Sequence, residues 1–151
     1  MDVQIRNASD SDAPAISKTI INALRESNAR DYSSDIIEQV VQGFSAPAVL
    51  RMLIERQVIV ATIGGHIVAT ASLQKNIIRS VFVDPQYQRR GIGRHLISAI
   101  ESMALDAGLS LLNVPASITA EGFYASLGFR KIRDEYYQSE RTIIMAKRLM
   151  P

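Results

Sequence analysis

Residues 83–94 read VDPQYQRRGIGR, a basic turn that joins a segment of strand character to one of helical periodicity. The first N–H groups of a helix have no partner within the helix and carry the positive end of its macrodipole, so a turn in this place attracts anions. The two glycines leave room for a pyrophosphate to approach the backbone, and the three arginines add attraction at longer range. Taken alone, these residues predict either an anion-binding loop or a helix start that the glycines merely favour.

Two familiar phosphate-binding loops do not fit these residues. A P-loop ends in Gly-Lys-Ser/Thr, and this turn has no such ending. A dinucleotide-binding turn follows the first strand of a βαβ unit, whereas the residues before this turn predict consecutive strands. Magnesium-dependent phosphoryl transfer and dinucleotide binding are therefore disfavoured.

The residues on either side of the loop define a helix and a hairpin. Residues 91–108 have apolar positions at helical spacing, and one stripe consists of Ile92, Leu96, Ile100, Met103 and Ala107. Residues 57–74 contain no Asp, Glu, Lys or Arg, a length that touches the threshold for a membrane helix. Their β-branched residues and the Gly64-Gly65 pair predict a buried hairpin instead.

The same patterns along the chain predict one domain over residues 1–151. Its fold class is α/β, with a mixed sheet of about six to seven strands flanked on both faces by about four helices. Strands are predicted at 3–6, 57–63, 67–74, 77–83, 109–114, 131–138 and 142–147. Helices are predicted at 12–27, 34–43, 91–108 and 117–127, with a further helical turn or two at 47–55.

Composition and charge exclude several classes of protein. The 151 residues are 47% apolar and 21% charged, as in ordinary globular proteins. The lack of cysteine excludes disulfides and thiol nucleophiles and favours a cytoplasmic protein, and two histidines give little material for a metal site, so we expect no metal. The net charge of +2 is small for a nucleic-acid binder, although residues 76–151 carry +3 and residues 1–75 carry −1. We expect neither a nucleic acid nor a membrane as partner.

A second motif lies downstream of the loop, where residues 117–129 read SITAEGFYASLGF. Residues 81–97 resemble the acyl-CoA signature of the GNAT superfamily of N-acetyltransferases. Residues 117–129 resemble that superfamily's Asn-x-x-Ala-x-x-Phe-Tyr-x-x-x-Gly-Phe helix, in the same order and at the expected distance. The resemblance implies a GNAT-like acyl-CoA N-acyltransferase fold, acetyl-CoA as the cosubstrate, and direct acetyl transfer to a primary amine of a small molecule or peptide.

The resemblance also implies a cofactor-binding role for each matching residue. The strand before the loop would splay from its neighbour, and the pantetheine arm would pair with the backbone of Val81, Phe82 and Val83. The pyrophosphate would be held by backbone amides of the loop, namely those of Arg89, Arg90, Gly91, Ile92, Gly93 and Arg94. Ser117 stands where the family often has Asn, and it either contacts the pantetheine or caps the helix.

Tyr124 is the one catalytic residue that the resemblance implies. It aligns with the family's helix tyrosine, whose hydroxyl protonates or hydrogen-bonds the departing CoA thiolate. Ala120, Phe123, Tyr124 and Leu127 also form an apolar helical stripe, so packing is the alternative role.

No base for the amine is identified. Residues 76–83 hold no Asp or Glu, although many relatives place a carboxylate there. We expect Asp84 to cap its turn, Glu121 to be a distant candidate, and His66 and His95 to lie on the surface. The missing carboxylate keeps a catalytically silent acyl-CoA-binding module as the alternative function.

The acceptor is expected opposite the side from which CoA enters, beside the N-terminal helices. Arg30, Asp31, Tyr32 and Asp35 either bind a polar substrate there or form a solvated loop. A homodimer through the sheet edges near the C terminus is an expectation at family level only.

Overall fold

The computed structural model describes residues 2–150, whose seven strands form one mixed sheet in the order β1-β2-β3-β4-β5-β7-β6. The strands are β1 (Val3–Asn7), β2 (Gln57–Ile63), β3 (His66–Gln74), β4 (Ile77–Val83), β5 (Leu111–Ser117), β6 (Arg130–Tyr137) and β7 (Glu140–Arg148). Neighbouring strands are antiparallel except β4 and β5, which are parallel. The mixed α/β class and the strand number predicted from the sequence are confirmed.

Within residues 2–150, five α-helices cover the sheet: α1 (Ala13–Glu26), α2 (Ser34–Gln42), α3 (Ala46–Glu55), α4 (Ile92–Asp106) and α5 (Glu121–Ser126). The predicted number of helices was too low because α3 is a full helix of ten residues. The Ser45 hydroxyl accepts a hydrogen bond from the Ala48 N–H at 3.3 Å, and Pro47 lies in the first turn. A side-chain cap and an early proline both favour a helix start, so this short segment folds as a helix.

Two apolar clusters pack on opposite faces of the sheet. Alternate residues of β2 divide between them, since Ile59 belongs to one cluster and Val58 and Val60 to the other. The first cluster lies under α4 and α5, and the second lies under α1, α2 and α3. The sheet therefore separates the N-terminal helices from the helix that follows the basic loop.

The buried stripe of α4 differs from the predicted stripe at its C-terminal end. Ile92, Leu96 and Ile100 are buried as predicted, and Ala104 is buried as well. Ala107 is exposed because the helix ends one residue earlier and Ala107 is its C-cap. The helical spacing of the predicted stripe was correct, but the helix ends before the last residue of that stripe, Ala107.

β4 and β5 diverge after a single residue pair. Only Ile77 and Asn113 pair between them, whereas β5 forms seven residue pairs with β7. Beyond that single pair β5 has a neighbour on one side only, a place where a strand tolerates proline, and Pro115 lies there. The two strands form the arms of a V that opens toward the basic loop.

The boundary between β5 and α5 was predicted in the wrong place. β5 extends to Ser117, beyond the predicted end at residue 114, and α5 begins at Glu121 instead of residue 117. Pairing with β7 continues to Ser117, opposite Thr142, and this pairing outweighs the helical pattern of residues 117–120. The two terminal strands were predicted to within two residues at each end.

A bulge bends β4 in the middle of the sheet. The register with β3 shifts between the pairs Ser72–Arg79 and Thr70–Phe82, and Ser80 has a φ angle of 55°. An extra residue in one strand turns that strand and redirects its side chains. The bulge lies where β4 leaves β5, and it orients Arg79 and Ser80 beside the V.

No helix among residues 2–150 is both long enough and apolar enough to span a bilayer. The uncharged segment of residues 57–74 forms β2, β3 and the turn between them, as predicted.

Asp12 joins β1 to the start of α1. Its carboxylate accepts two hydrogen bonds from the Arg6 guanidinium, at 2.8 and 3.0 Å, and one from the Ser9 N–H at 2.8 Å. The hydrogen bonds from Arg6 are the main reason that the pKa of Asp12 falls to about 2. A carboxylate with a lowered pKa stabilises the fold above the pKa of the unfolded chain, and this contribution disappears as the pH falls through the folded value.

We expect Asp12→Asn to lower the free energy of unfolding by about 1 kcal/mol at pH 7, less than the full pKa shift implies because Arg6 is half exposed. The difference between wild type and variant should shrink as the pH falls from about 4 to about 2. Urea unfolding of both proteins at several pH values measures this difference, and the exposed Asp10→Asn is the control. A difference that stays constant with pH would contradict this role of Asp12.

Candidate active site

A cavity of about 950 Å³ opens where β4 and β5 separate. Its walls come from both strands, the loop before α4, the face of α5, and the region of α1 and α2. Because the N-terminal helices lie on one face of the sheet and the loop lies at the mouth of the V, the cavity connects these two regions. One molecule can therefore reach both from the same space.

The loop before α4 presents unpaired N–H groups at one end of this cavity. The first backbone bond back to the helix start is donated by His95 to the Gly91 carbonyl, at 3.1 Å. The N–H groups of Ile92, Gly93 and Arg94 precede it and have no partner within the helix. Gly91 is the N-cap with a φ angle of 79°, which glycine adopts without strain.

Packing inside the loop explains the second glycine. A Cβ atom at residue 93 would lie 3.1 Å from Cζ of Phe123. Glycine therefore lets α4 start against the face of α5. Ile92 is buried, so of its groups only the backbone faces the loop.

The side chains of the loop have different surroundings. Arg89, Arg90 and Arg94 are exposed, and the Arg90 guanidinium lies 5.3 Å from the centroid of the Tyr87 ring. Gln88 anchors the loop, since its Nε2 donates to Ser27 Oγ at 2.8 Å and to the Val83 carbonyl at 3.2 Å. The loop is therefore tied both to the end of α1 and to the end of β4.

The strand residues predicted to bind a cofactor all line the cavity. Val81, Phe82 and Val83 form its wall on the β4 side. The Phe82 ring packs edge-on against Phe44, with centroids 5.6 Å apart, and so belongs to the core under the N-terminal helices. Its backbone remains available on the side from which β5 has separated.

Tyr124 is a buried wall residue with an unused hydroxyl. Its ring packs edge-on against Phe123 and Phe129, with centroids 5.1 and 5.4 Å apart. The hydroxyl makes no hydrogen bond within residues 2–150, and it is not one of the fully enclosed polar atoms of the protein. Burial raises the pKa of Tyr124 far above its ordinary value, so the hydroxyl keeps its proton. The ring packs in the core while the hydroxyl remains a free donor toward the cavity.

Ser117 forms a cap in the structure. Its hydroxyl accepts a hydrogen bond from the Ala120 N–H at 3.2 Å, which holds the turn between β5 and α5. The residue also lines the cavity. In the structure Ser117 therefore has the capping role, which is one of the two roles that the sequence left open.

Tyr32 closes the side of the cavity below the N-terminal helices. Its hydroxyl donates to the Arg141 carbonyl at 2.8 Å and accepts from the Ile118 N–H at 2.7 Å. The neighbouring Asp31 accepts a hydrogen bond from Thr119 at 2.8 Å. The connection between α1 and α2 is therefore bonded to the turn before α5 and to β7.

Of the four residues proposed for the acceptor side, Tyr32 alone lines the cavity. Arg30, Asp31 and Asp35 are exposed. These three match the alternative of a solvated loop, and Asp31 anchors that loop.

Glu140, the first residue of β7, was missed by the sequence analysis. It lines the cavity, is partly buried, and makes no hydrogen bond or ion pair with any other described residue. Burial raises the pKa of Glu140 above the ordinary value of a glutamate. Burial also raises the pKa of Tyr32, and the negative charge of Glu140 raises it further, so the two groups are near each other. Only the folded path of β7 brings this residue to the cavity.

The other acids that the sequence offered lie elsewhere. Asp84 Oδ1 accepts a hydrogen bond from the Gln86 N–H at 2.9 Å and caps its turn, as predicted. Glu121 does not line the cavity. Among residues 2–150, no group of three or more His, Cys, Asp or Glu side chains could hold a metal ion.

Comparisons with known proteins agree with this architecture. A family model described as "Acetyltransferase (GNAT) domain" matches residues 28–149. A protein of Escherichia coli K12, described as uncharacterized N-acetyltransferase YafP, is 30% identical over 133 residues, or 88% of this chain and 85% of that protein. A GCN5-related N-acetyltransferase structure from Rhodopseudomonas palustris has a TM-score of 0.94 at 25% identity and covers 99% of this chain and 97% of its own.

A structure of lower identity shares the same fold. PaiA N-acetyltransferase from Thermoplasma acidophilum, in complex with coenzyme A, has a TM-score of 0.83 at 19% identity and covers 98% of this chain and 99% of its own.

Proposed function

The chain belongs to the GNAT acetyltransferase family and is an acyltransferase, and we propose that it transfers the acetyl group of acetyl-CoA directly to a primary amine of a small molecule or peptide. The observation that carries this proposal is the cavity between β4 and β5. It joins a loop with unpaired N–H groups to a space under the N-terminal helices, and Tyr124 lies on its wall.

For the cofactor we propose the binding residues that the sequence analysis gave. The N–H groups at the start of α4 suit the pyrophosphate of acetyl-CoA, and the exposed arginines of the loop suit its other phosphate charges. The backbone from Val81 to Val83, on the open side of β4, suits the pantetheine arm, because amide groups along an extended ligand pair with a strand edge. Ser117 lies on the opposite wall.

Tyr124 donates a hydrogen bond to the leaving sulfur. When the amine attacks the thioester carbonyl, the C–N bond forms, the C–S bond breaks, and negative charge develops on sulfur. A thiol has an ordinary pKa of about 8.5, below that of a tyrosine, and burial widens the gap. Tyr124 therefore stabilises the charge by hydrogen bonding more than by full proton transfer.

Glu140 takes the proton that the amine loses. It is the carboxylate on the cavity wall, and its raised pKa makes it a stronger base than an exposed glutamate. Neither carboxylate oxygen of Glu140 has a hydrogen-bond partner within residues 2–150. This assignment supplies the base that residues 76–83 lack.

Two further expectations stay predictions. The cytoplasmic location rests on the absence of cysteine. The homodimer rests on the sheet edge, where β6 exposes Ile132, Tyr136 and Tyr137.

We predict that Gly91→Ala weakens binding of coenzyme A about tenfold or more, because a Cβ at a φ angle of 79° strains the backbone whose amides hold the pyrophosphate. Gly108→Ala is the matched control, since Gly108 has a φ angle of 81° and is equally uncrowded at the other end of α4. Calorimetric titration with coenzyme A measures affinity, and urea unfolding measures the strain. Equal loss of affinity in both variants would contradict the loop assignment.

We predict that Tyr124→Phe lowers kcat about 100-fold while the affinity for coenzyme A and the stability change little. The hydroxyl has no hydrogen bond to lose, and the ring packing remains. Release of the CoA thiol during turnover gives kcat, with the exposed Tyr136→Phe as control. An unchanged kcat would remove Tyr124 from the mechanism.

We predict that Glu140→Gln lowers kcat/KM about 100-fold. In wild type, activity should rise with pH through the pKa of Glu140, which lies above its ordinary value, because only the carboxylate accepts a proton. The nearby titratable group is Tyr32, while the Arg141 side chain is paired with Asp134.

The variant should lose this limb of the pH profile and keep the limb that belongs to the amine itself. Glu26→Gln, on the exposed end of α1, is the matched control. A variant that keeps the wild-type acid limb would show that another group accepts the proton.

A further inference from the structure

Arg56 and Arg79 lie together on the wall of the same cavity. Arg56 follows α3, and its Nη1 donates to the hydroxyls of Ser80 and Ser72, at 3.0 and 3.4 Å. The Ser72 hydroxyl in turn donates to the Arg79 carbonyl at 2.6 Å. The bulge of β4 therefore holds the Arg79 backbone beside Arg56. The Arg79 Nε donates to Gln74 Oε1 at 3.1 Å, and its positive charge acts on the Arg56 guanidinium.

Neither guanidinium forms an ion pair with another described residue, and the side-chain hydrogen-bond partners of both are uncharged oxygens. Burial lowers the pKa of Arg56 and the positive charge of Arg79 lowers it further, which the negative charge of Glu55 offsets only in part. The Nε–H of Arg56 is enclosed and has no hydrogen-bond partner, which is rare for a buried donor.

Support of the β4 bulge does not explain why two positively charged side chains, Arg56 and Arg79, lie here. The hydrogen bonds to Ser72 and Ser80 need only a neutral donor, whereas two half-buried like charges destabilise the fold unless an anion neutralises them. By contrast, Arg25 forms an ion pair with Glu38 on the surface. An anion in the cavity would complete the set of partners at this place.

We propose that Arg56 and Arg79 bind an anionic oxygen group of the acceptor, so that the acceptor is an amine that also carries a carboxylate or a similar oxyanion. The proposal rests on the proposed acetyl transfer and names the substrate class of that site. Planar guanidinium groups bind carboxylates and phosphonates through paired, charge-assisted hydrogen bonds.

The rest of the cavity defines the body of this acceptor. Its wall on the side of α1 and α2 is mainly apolar, with Ser27, Asn28 and Tyr32 as its polar members and these larger apolar residues: Leu24, Ile36, Ile37, Val40 and Phe44. Glu140 supplies a negative charge on a different strand from the arginines. The two arginines suit an acid group, Glu140 suits an amine, and the wall is mainly apolar. Together these features fit an apolar amino acid or a short peptide with a free C terminus.

The first experiment compares acids with their amides in the wild-type enzyme. Leucine, phenylalanine and the dipeptide leucylglycine are each assayed with acetyl-CoA beside the C-terminal amide, and leucine also beside its phosphonic analogue. We expect at least one acid to exceed its amide about tenfold or more in kcat/KM, because the amide leaves the guanidinium groups unpaired. The phosphonic analogue distinguishes a carboxylate site from a general oxyanion site. Amides that equal or exceed all the acids would overturn the proposal.

The second experiment measures this preference in variants. Arg79→Gln and Arg56→Gln should each reduce the ratio of acid to amide toward one, mainly through KM. Arg51→Gln, on the exposed face of α3 and outside the cavity, should keep the wild-type ratio. Equal losses for acids and amides would show that the arginines only brace the fold.

Binding without turnover separates this proposal from the proposed function. The same acids and amides are titrated into the enzyme loaded with coenzyme A, by calorimetry. Acids that bind more tightly than amides, with no acetylation of any amine, would support the anion subsite and refute acetyl transfer. Acetylation of amides alone would support acetyl transfer and refute the anion subsite. If neither acids nor amides bind or react, the subsite is refuted.

Discussion

The site depends on the early separation of β5 from β4. Inside a sheet, neighbouring strands satisfy the backbone N–H and C=O groups, so two central strands that separate leave facing edges that suit an extended ligand. The separation is held from the flanks. β5 completes its pairing with β7, β4 remains paired with β3, and the Tyr32 hydroxyl joins the Ile118 amide to the Arg141 carbonyl. Within residues 2–150 the V therefore stays open although β4 and β5 pair only at Ile77 and Asn113.

The charges of the protein are distributed unevenly around this opening. Surface charges such as Arg133 and Glu135 form ion pairs with each other, and Arg6 and Asp12 fasten the first strand to the first helix. Around the cavity, Arg56, Arg79 and Glu140 have no ion pair with any described residue. Half-buried charges without an oppositely charged partner cost stability, and natural proteins accept such costs mainly where function needs them.

Local patterns in the sequence predicted the parts of the site that are built locally. The loop at residues 88–94 and the helix after it follow from glycine, charge and periodicity within short windows, whereas the expected role of Tyr124 came from the resemblance to the GNAT helix motif. The end of β5 was misjudged because its pairing with β7, about thirty residues away, decides it. Glu140 and Arg56 were not found for the same reason: the turn after β6 and the end of α3 meet the cavity only through the sheet order. No short window contains that information.

The position of the base follows from the position of the arginines. A carboxylate at residue 80 would lie beside the Arg56 guanidinium, which bonds to the Ser80 hydroxyl. An ion pair there would neutralise the cation and lower the pKa of the carboxyl, so such a group would accept a proton poorly. On β7, Glu140 has no bonded cation, and burial instead raises its pKa. The lack of an acid in β4, which first suggested a silent protein, thus leaves Arg56 and Arg79 without an ion pair at residue 80 and available to the anion proposed above.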